Sequence, residues 1–445
     1  MRPHRIFYPV SSILNLASCI LHTASCILHP AMTGHSAITP MSVLLPISIG
    51  TGLSLIGDAS LYAVLPTHVG DAGITLAGVG IILSANRFIR LLLNGPAGMA
   101  YDRFPRRPLF IAALFVGACS TAIYALGSGF WSLLSGRLLW GLSWAGIWVG
   151  GNAMIVDISE NRNRGRWVGL YNICFFLGTS SGSVLGGLLT DRLGYHAALG
   201  AGAGLTFAGA VVVWILLPET SRLRQERILA DSHGETPSSQ VKHCQRQIGS
   251  AFFLMGVNRF SVAGVLMPTF GLFLLENLGG SFEISGIQLG VASATGLGLG
   301  LTYLISMISA PAMGWLSDRC KSRWQAVAWG LLPGAAGFML LSMGHPATIL
   351  LALLLTSFAA GSNQGLSIAI VGDLCAEGVR GRTMGFLFTV GDLASAVGPL
   401  LAYALAPVIG LKYIYVGVAS LLAAMMALAW YRARNSPPGV ATTPA

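Results

Sequence analysis

The chain has 445 residues, of which 54% are hydrophobic and only 9% charged, with a mean hydropathy of +0.70. Roughly a quarter of the residues of a soluble domain are charged, so this composition excludes a soluble protein of this length. A formal charge of +10 would suggest a nucleic-acid partner in a soluble chain. Here the Lys and Arg residues sit in short loops between apolar stretches, so no nucleic-acid partner is expected.

In chain order, the first forty residues are anomalous: ASCILH occurs at 17–22 and again at 24–29, ahead of Met32 and Met41. Arg2, Arg5 and LASC at 16–19 would suit a cleaved signal. The apolar region is broken by Pro9 and Asn15, so the preferred reading of 1–40 is an over-extended start or a disordered leader. The functional protein is expected to begin near Met41. Apolar stretches of about 20 residues, each able to cross roughly 30 Å of hydrocarbon, then recur along the chain. They predict six helices at about 43 to 66, 74 to 99, 108 to 127, 131 to 156, 167 to 189 and 196 to 217. Six more are predicted at about 250 to 275, 284 to 315, 324 to 343, 347 to 371, 383 to 405 and 411 to 431. The eighth is long and glycine-rich and is expected to be tilted or irregular. The predicted organisation is an N-terminal bundle at 41–217, a linker at 218–249, a C-terminal bundle at 250–432 and a tail at 433–445.

Charge sets the orientation. With the N-terminus in the cytoplasm, twenty of the 26 Lys and Arg residues fall in cytoplasmic segments. Only Arg192 and Lys412 fall in the opposite loops, while Arg87, Arg90, Arg137 and Arg259 lie within helices. Twenty against two is a strong positive-inside signal, placing a multi-pass protein in the cell inner (plasma) membrane with both termini cytoplasmic. The seven cysteines stand singly, without CxxC or a histidine at ligand spacing, so neither metal nor redox chemistry is expected.

The halves match at a fixed offset of 216 residues: Gly98 on Gly314, Asp102 on Asp318, Asp157 on Asp373, and Arg164, Gly165, Arg166 on Arg380, Gly381, Arg382. Gly169 and Gly182 fall on Gly385 and Gly398. One offset shared by so many landmarks indicates internal duplication, a mark of transporter folds with a path between the repeats. The fold class is therefore an all-α membrane protein of twelve transmembrane helices in two six-helix bundles.

GMAYDRFPRR, Gly98 to Arg107, follows the second helix, and GWLSDRCKSR, Gly314 to Arg323, stands at the matching place after the eighth. Both resemble the cytoplasmic loop signature of the major facilitator superfamily, though Pro105 stands where the family usually has glycine and the second copy is more degraded. The resemblance covers about 41 to 434. It implies a gating latch at Gly98, Asp102, Arg103 and Arg107, less firmly at Gly314, Asp318 and Arg319. RLLWGLSWAG, from Arg137, resembles a family motif associated with proton transfer. GTSSGSVLGG, with Gly178, Gly182, Gly186 and Gly187, resembles the glycine-rich motif of drug/proton antiporters. Ser183 replaces its proline, which stands instead in the eleventh helix, as Pro399 after Gly398. Tight glycine packing of neighbouring helices explains these spacings equally well.

Ionisable residues inside a membrane are costly and should face the interior or water. Asp58 is expected near the middle of the first helix, where it could pair with Arg87 of the second. Asn86, Arg90 and Asn94 form one stripe on the second helix. Arg137, Asn258, Arg259 and Asp392 complete the expected proton-coupling and substrate path, each with a plain alternative as a structural polar pair. Trp140, Trp144 and Trp148 recur at i, i+4 and i+8, either to stack a substrate or to pack against neighbours. The leading reading is a monomeric secondary transporter that moves a small molecule by alternating access, favouring proton-coupled efflux, with the proton gradient as energy source and no cofactor. The alternatives are uptake of a metabolite or organic anion, and a non-transporting receptor or membrane enzyme. No HExxH, nucleophile elbow or nucleotide loop supports an enzyme.

Overall fold

A computed structural model of the chain describes residues 39–159, 163–221, 245–284, 287–320, 322–375 and 377–435, with backbone alone at 245–247, 282–284, 287–288 and 377–381. The leader up to 38, most of the linker, Arg162, Lys321, Cys19, Cys26, Cys244 and the end of the tail lie outside the described residues.

The first six helices are α1 (Pro40–Val64), α2 (Leu76–Arg103), α3 (Arg106–Leu126), α4 (Phe130–Ile158), α5 (Arg164–Leu193) and α6 (Tyr195–Leu216). After the linker, α7 begins at Gln245 and runs through three segments: α-helical Gln245–Arg259, a π-helical stretch Phe260–Leu266 and α-helical Met267–Leu278. Then come α8 (Val291–Ser317), α9 (Arg323–Ser342) and α10 (Pro346–Leu374). A last helical run, Glu377–Asn435, is broken at Gly410, whose φ of 81° no helix accommodates. Its apolar part, Arg382–Asn435, is 54 residues long, or about 80 Å at 1.5 Å per residue, far more than one crossing of about 30 Å. It is therefore two crossings, α11 (377–409) and α12 (411–435), and the described residues hold twelve. An even number of crossings brings Pro40 and Asn435 to one side, here called the terminal face.

Local chemistry sets several helix starts. The Thr75 hydroxyl accepts from Gly78 N at 3.3 Å, Ser322 caps Trp324 N at 3.3 Å, and His345 Nδ1 accepts from Ala347 N beside Pro346 at the first turn of α10. Such caps satisfy amides that helix starts leave unpaired. Gly194, between α5 and α6, has φ 88°. It stands 216 residues before Gly410, so the repeat extends to the backbone conformation of the two corresponding turns.

Two expectations about helix regularity need correction. The eighth helix is α-helical throughout; the irregularity lies in α7, where the π stretch inserts a wider turn. Glycine content was a poor guide because a π bulge comes from an extra residue in the helical register, not from backbone freedom. The eighth helix also starts later than expected, at Val291, because Ser281–Ile284 and Ile287–Gly290 form an antiparallel two-stranded hairpin ahead of it.

Small residues position the helices. Gly178, Gly182 and Gly186 of α5 face Gly52, Ile56 and Ser60 of α1, and a methyl added at Gly182 would lie 2.6 Å from Ile56 Cα. The other side of α5 meets α8: Gly187 abuts Ala292, and Ser180 donates to the Gly300 carbonyl at 2.9 Å. In the second half Gly398 of α11 packs on Gly264 of α7, the counterpart of Gly182 on α1, and the carbonyl of Pro399 lies against Gly80 of α2. Without a hydrophobic drive between helices in lipid, such close backbone approach is a main source of cohesion.

The two halves therefore meet along α5 with α8 and α2 with α11, away from the terminal face. At the far rim the Asp191 carboxylate, at the end of α5, accepts from Ser293 N at the start of α8 at 2.7 Å. Towards the terminal face the glycines of the same four helices are unpacked: a Cβ added at Gly95, Gly98, Gly169, Gly314 or Gly385 would meet nothing within 4 Å.

Candidate functional site

Two ion pairs lie in the membrane-spanning region beside the seam. Arg137 of α4 has no exposed side-chain surface and pairs with Asp58 of α1. It also donates to the Tyr62 hydroxyl at 3.0 Å. Its guanidinium lies between the rings of Tyr62 and Tyr124, 5.1 and 5.9 Å from their centroids. A desolvated cation is stabilised by aromatic faces as well as by its carboxylate.

The expected pairing of Asp58 with Arg87 is thus corrected. Asp58 lies eighteen residues into α1 and Arg137 seven residues into the oppositely running α4, so both sit about midway between the helix centre and the far face. Arg87 instead donates through Nη1 to two main-chain carbonyls of the other half, Ala263 at 2.8 Å and Ser395 at 2.6 Å. Ala263 belongs to the π stretch of α7. Arg87 also lies over the Tyr62 ring, 5.5 Å from its centroid. Tyr62 thus joins the Asp58–Arg137 pair to the residue that holds the second half.

The second pair spans the halves: Arg90 of α2 binds Asp392 of α11 at 2.8 Å, their side chains 17% and 12% exposed. Arg259 of α7 lies within electrostatic reach of Asp392, Arg87, Arg90 and Tyr303. Its stem packs where a Cβ on Gly391 would be, 3.2 Å from Cγ. Asn258 donates to the Ala360 carbonyl at 3.0 Å, tying α7 to α10. Asn86 is buried, its Oδ1 without a partner among the described residues.

Tyr62 and Tyr303 were missed in the sequence. The hydroxyl of Tyr303, on α8, donates to Met267 Sδ at 3.3 Å, and Tyr303 lies within electrostatic reach of Tyr62, Arg87, Asp58 and Arg259. Tyr62 could have been found, standing one turn beyond Asp58 on the same face. Tyr303 carries no comparable signal. The tryptophan stripe packs as an aromatic stack: Trp140, Trp144 and Trp148 stack in series at 6.2 and 5.6 Å, and Trp148 stacks on Tyr171 of α5 at 5.7 Å.

At the terminal face each half has its own charge network. Arg106 binds Asp157 at 2.7 Å in the first half, and Thr220 donates to the same carboxylate at 3.1 Å. Glu219 accepts from the amides of Arg106 and Arg107, both at 3.1 Å, capping α3. Burial alone would raise the Glu219 pKa, but hydrogen bonds from the Ser221 side chain and amide and from these two amides bring it below the usual carboxylate value. In the second half Arg323 binds Asp373 and, at 2.9 Å, Asp318. Of the expected latch residues, Asp102 and Arg103 lie exposed at the end of α2. Arg107 donates to the Trp214 carbonyl at 2.7 Å and Arg319 stacks 3.4 Å above Trp315, each within its own half.

This architecture has known counterparts. The family model for the Major Facilitator Superfamily matches residues 47–300 and 248–445. The tetracycline resistance protein, class C, of Escherichia coli is 26% identical over 88% of this chain and 98% of its own length. Major facilitator superfamily domain-containing protein 10 of Homo sapiens is 27% identical over 73% of this chain and 72% of its own. Among solved structures, an inward-facing, occupied bacterial homologue of the human lysosomal transporter Spinster superposes with a TM-score of 0.73 at 15% identity, covering 90% of this chain and 98% of that one. The crystal structure of the human organic anion transporter MFSD10 superposes with a TM-score of 0.63 at 22% identity, covering 88% of this chain and all of that one. The chain belongs to the Major Facilitator Superfamily and is a multi-pass secondary transporter of a small molecule.

Proposed function

We propose that the transporter is a proton-coupled exporter acting as a monomer in the inner membrane, with Asp58 as its proton acceptor. The observation that carries this is the chain of contacts from Asp58 through Arg137 and Tyr62 to Arg87, and from Arg87 to the carbonyls of Ala263 and Ser395. Protonating Asp58 removes the counter-charge of Arg137, so this guanidinium draws more strongly on the Tyr62 hydroxyl. Tyr62 is also the ring on which Arg87 rests, and Arg87 is the clamp on the other half. A proton is thereby coupled to the equilibrium between two arrangements of the halves, as alternating access requires.

Three further points support export. The loop charges favour cytoplasmic termini by twenty to two, which puts the unpacked glycines at the ends of α2, α5, α8 and α11 on the cytoplasmic side, where cargo for export would load. The tetracycline resistance relatives are named for a phenotype that export confers. The buried ion pairs supply groups that can hold protons, so the gradient serves as the energy source without a cofactor. The Asp-Arg loops, Asp102 with Arg103 and Arg107 above all, would latch the terminal face once it closes.

The test is flux in liposomes of defined orientation, with and without an imposed pH gradient. Gradient-driven export should be lost in Asp58→Asn while downhill exchange persists. Gradient-driven flux that survives this substitution removes Asp58 from the coupling, and flux only into the terminal-face compartment would replace export with uptake.

A further inference from the structure

Four guanidiniums and two carboxylates lie among the membrane-spanning helices beside the seam. Arg137 is neutralised by Asp58, Arg90 by Asp392, and Arg87 is held by two carbonyls. Among the described residues Arg259 alone of the four makes no hydrogen bond and no ion pair. It is only partly buried, so its head reaches open space, and it stands where the π stretch of α7 begins. Its electrostatic neighbours are one carboxylate, Asp392, and two more cations, Arg87 and Arg90. The group carries an excess of two positive charges.

An uncompensated cation at this depth is costly, and among the described residues the one carboxylate acting on it, Asp392, is already paired with Arg90. A cationic cargo would add to the repulsion. We infer that Arg259 anchors the acidic group of the cargo, which is a small organic anion such as a carboxylate or sulfonate. The inference rests on the transporter reading and adds a substrate class and an anchoring residue to it. A planar anion matches the paired donors of a guanidinium. Arg90 acts electrostatically on Arg259, so an anion held there would also compete with Asp392 for Arg90. Asp392 is then an internal substitute for the cargo, occupying Arg90 when the site is empty, and cargo arrival weakens the ion pair that bridges the halves. Charge therefore makes a specific prediction about Asp392: removing its carboxylate should strengthen binding, whereas removing a structural ion pair would weaken the protein and its binding together.

The experiment uses the purified full-length protein in detergent, with benzenesulfonate and naphthalenesulfonate as anionic probes and benzylammonium and benzyl alcohol as matched cationic and neutral ones. Binding is read by thermal shift and by calorimetry. The sulfonates should stabilise the wild type and the other two should not. Arg259→Gln should weaken sulfonate binding about ten- to a hundredfold, the range for a charged hydrogen-bond partner. Arg259→Lys should restore part of it, and Asp392→Asn should tighten it about tenfold. If Arg259→Gln does not fold, the lysine variant and Asp392→Asn carry the test. Stabilisation by benzylammonium, no stabilisation by either sulfonate, unchanged affinity in Arg259→Gln, or weaker affinity in Asp392→Asn would each overturn the inference. Proton-coupled transport would still stand in those cases, because pH-driven flux tests it separately. Sulfonate binding as expected together with flux indifferent to a pH gradient would overturn proton coupling alone.

Discussion

The two buried ion pairs look alike in composition and differ in what they join. Asp58 and Arg137 connect α1 to α4 within one half, with the guanidinium enclosed by two tyrosine rings. Arg90 and Asp392 connect α2 to α11 across the seam, with both side chains partly accessible. A pair inside one rigid bundle can persist through a movement of the bundles, whereas a pair across the seam must adjust when they move. The first is therefore a stability element within one half, and the second is a conformational one.

The most severe break in this comparison is Arg137→Leu, which leaves Asp58 buried without its cation. One-sided removal from a buried pair costs about 3–5 kcal/mol, seen as a large fall in thermal stability in detergent, and adding Asp58→Asn should recover part of it. If the single variant were as stable as the wild type, the pair would be neither tightly coupled nor desolvated.

Next in size is overpacking at the duplicated glycine contacts within each half. Gly182→Val and Gly398→Val should each cost about 1–3 kcal/mol and by similar amounts, since α5 on α1 repeats as α11 on α7. Unequal losses would show that the two halves do not share this packing.

Arg90→Gln should cost less stability than Arg137→Leu, because its guanidinium is 17% exposed whereas that of Arg137 is fully enclosed, but should change conformation more. Spin labels on the terminal-face ends of α2 and α11 should report a shifted distribution of distances, while the same labels in Arg137→Lys should not. Identical distributions in Arg90→Gln and wild type would remove the conformational role.

The smallest effect is expected at Glu219, outside the membrane. Its pKa is lower in the folded state, so the folded protein binds fewer protons there than the unfolded chain. Its contribution is present above the unfolded carboxylate pKa and is lost as pH falls through the folded one. Glu219→Gln should flatten the acid limb of the stability profile slightly and leave the neutral region's pH dependence unchanged.

Much of this is legible in the amino-acid sequence. Twelve apolar stretches, one offset of 216 residues and the Asp-Arg loops specify the crossings, the duplication and the family, because the bilayer allows only helices of a certain length here. The glycines of α5 and α11 were legible as packing residues for the same reason. Asp58, Arg90, Arg137, Arg259 and Asp392 were legible as a set, since ionisable residues in lipid rarely lack a purpose.

Their partners were not legible. Which arginine meets Asp58 depends on the depth and rotation of α1, α2 and α4 relative to one another. The π stretch that presents the Ala263 carbonyl leaves no compositional trace, and Tyr303 enters the group only because α8 crosses the seam. The sequence by itself determined how many helices there are and which charges they bury. Only the tertiary structure decided how those charges are shared, because pairing is a property of helix faces that meet and not of the residues along any one of them.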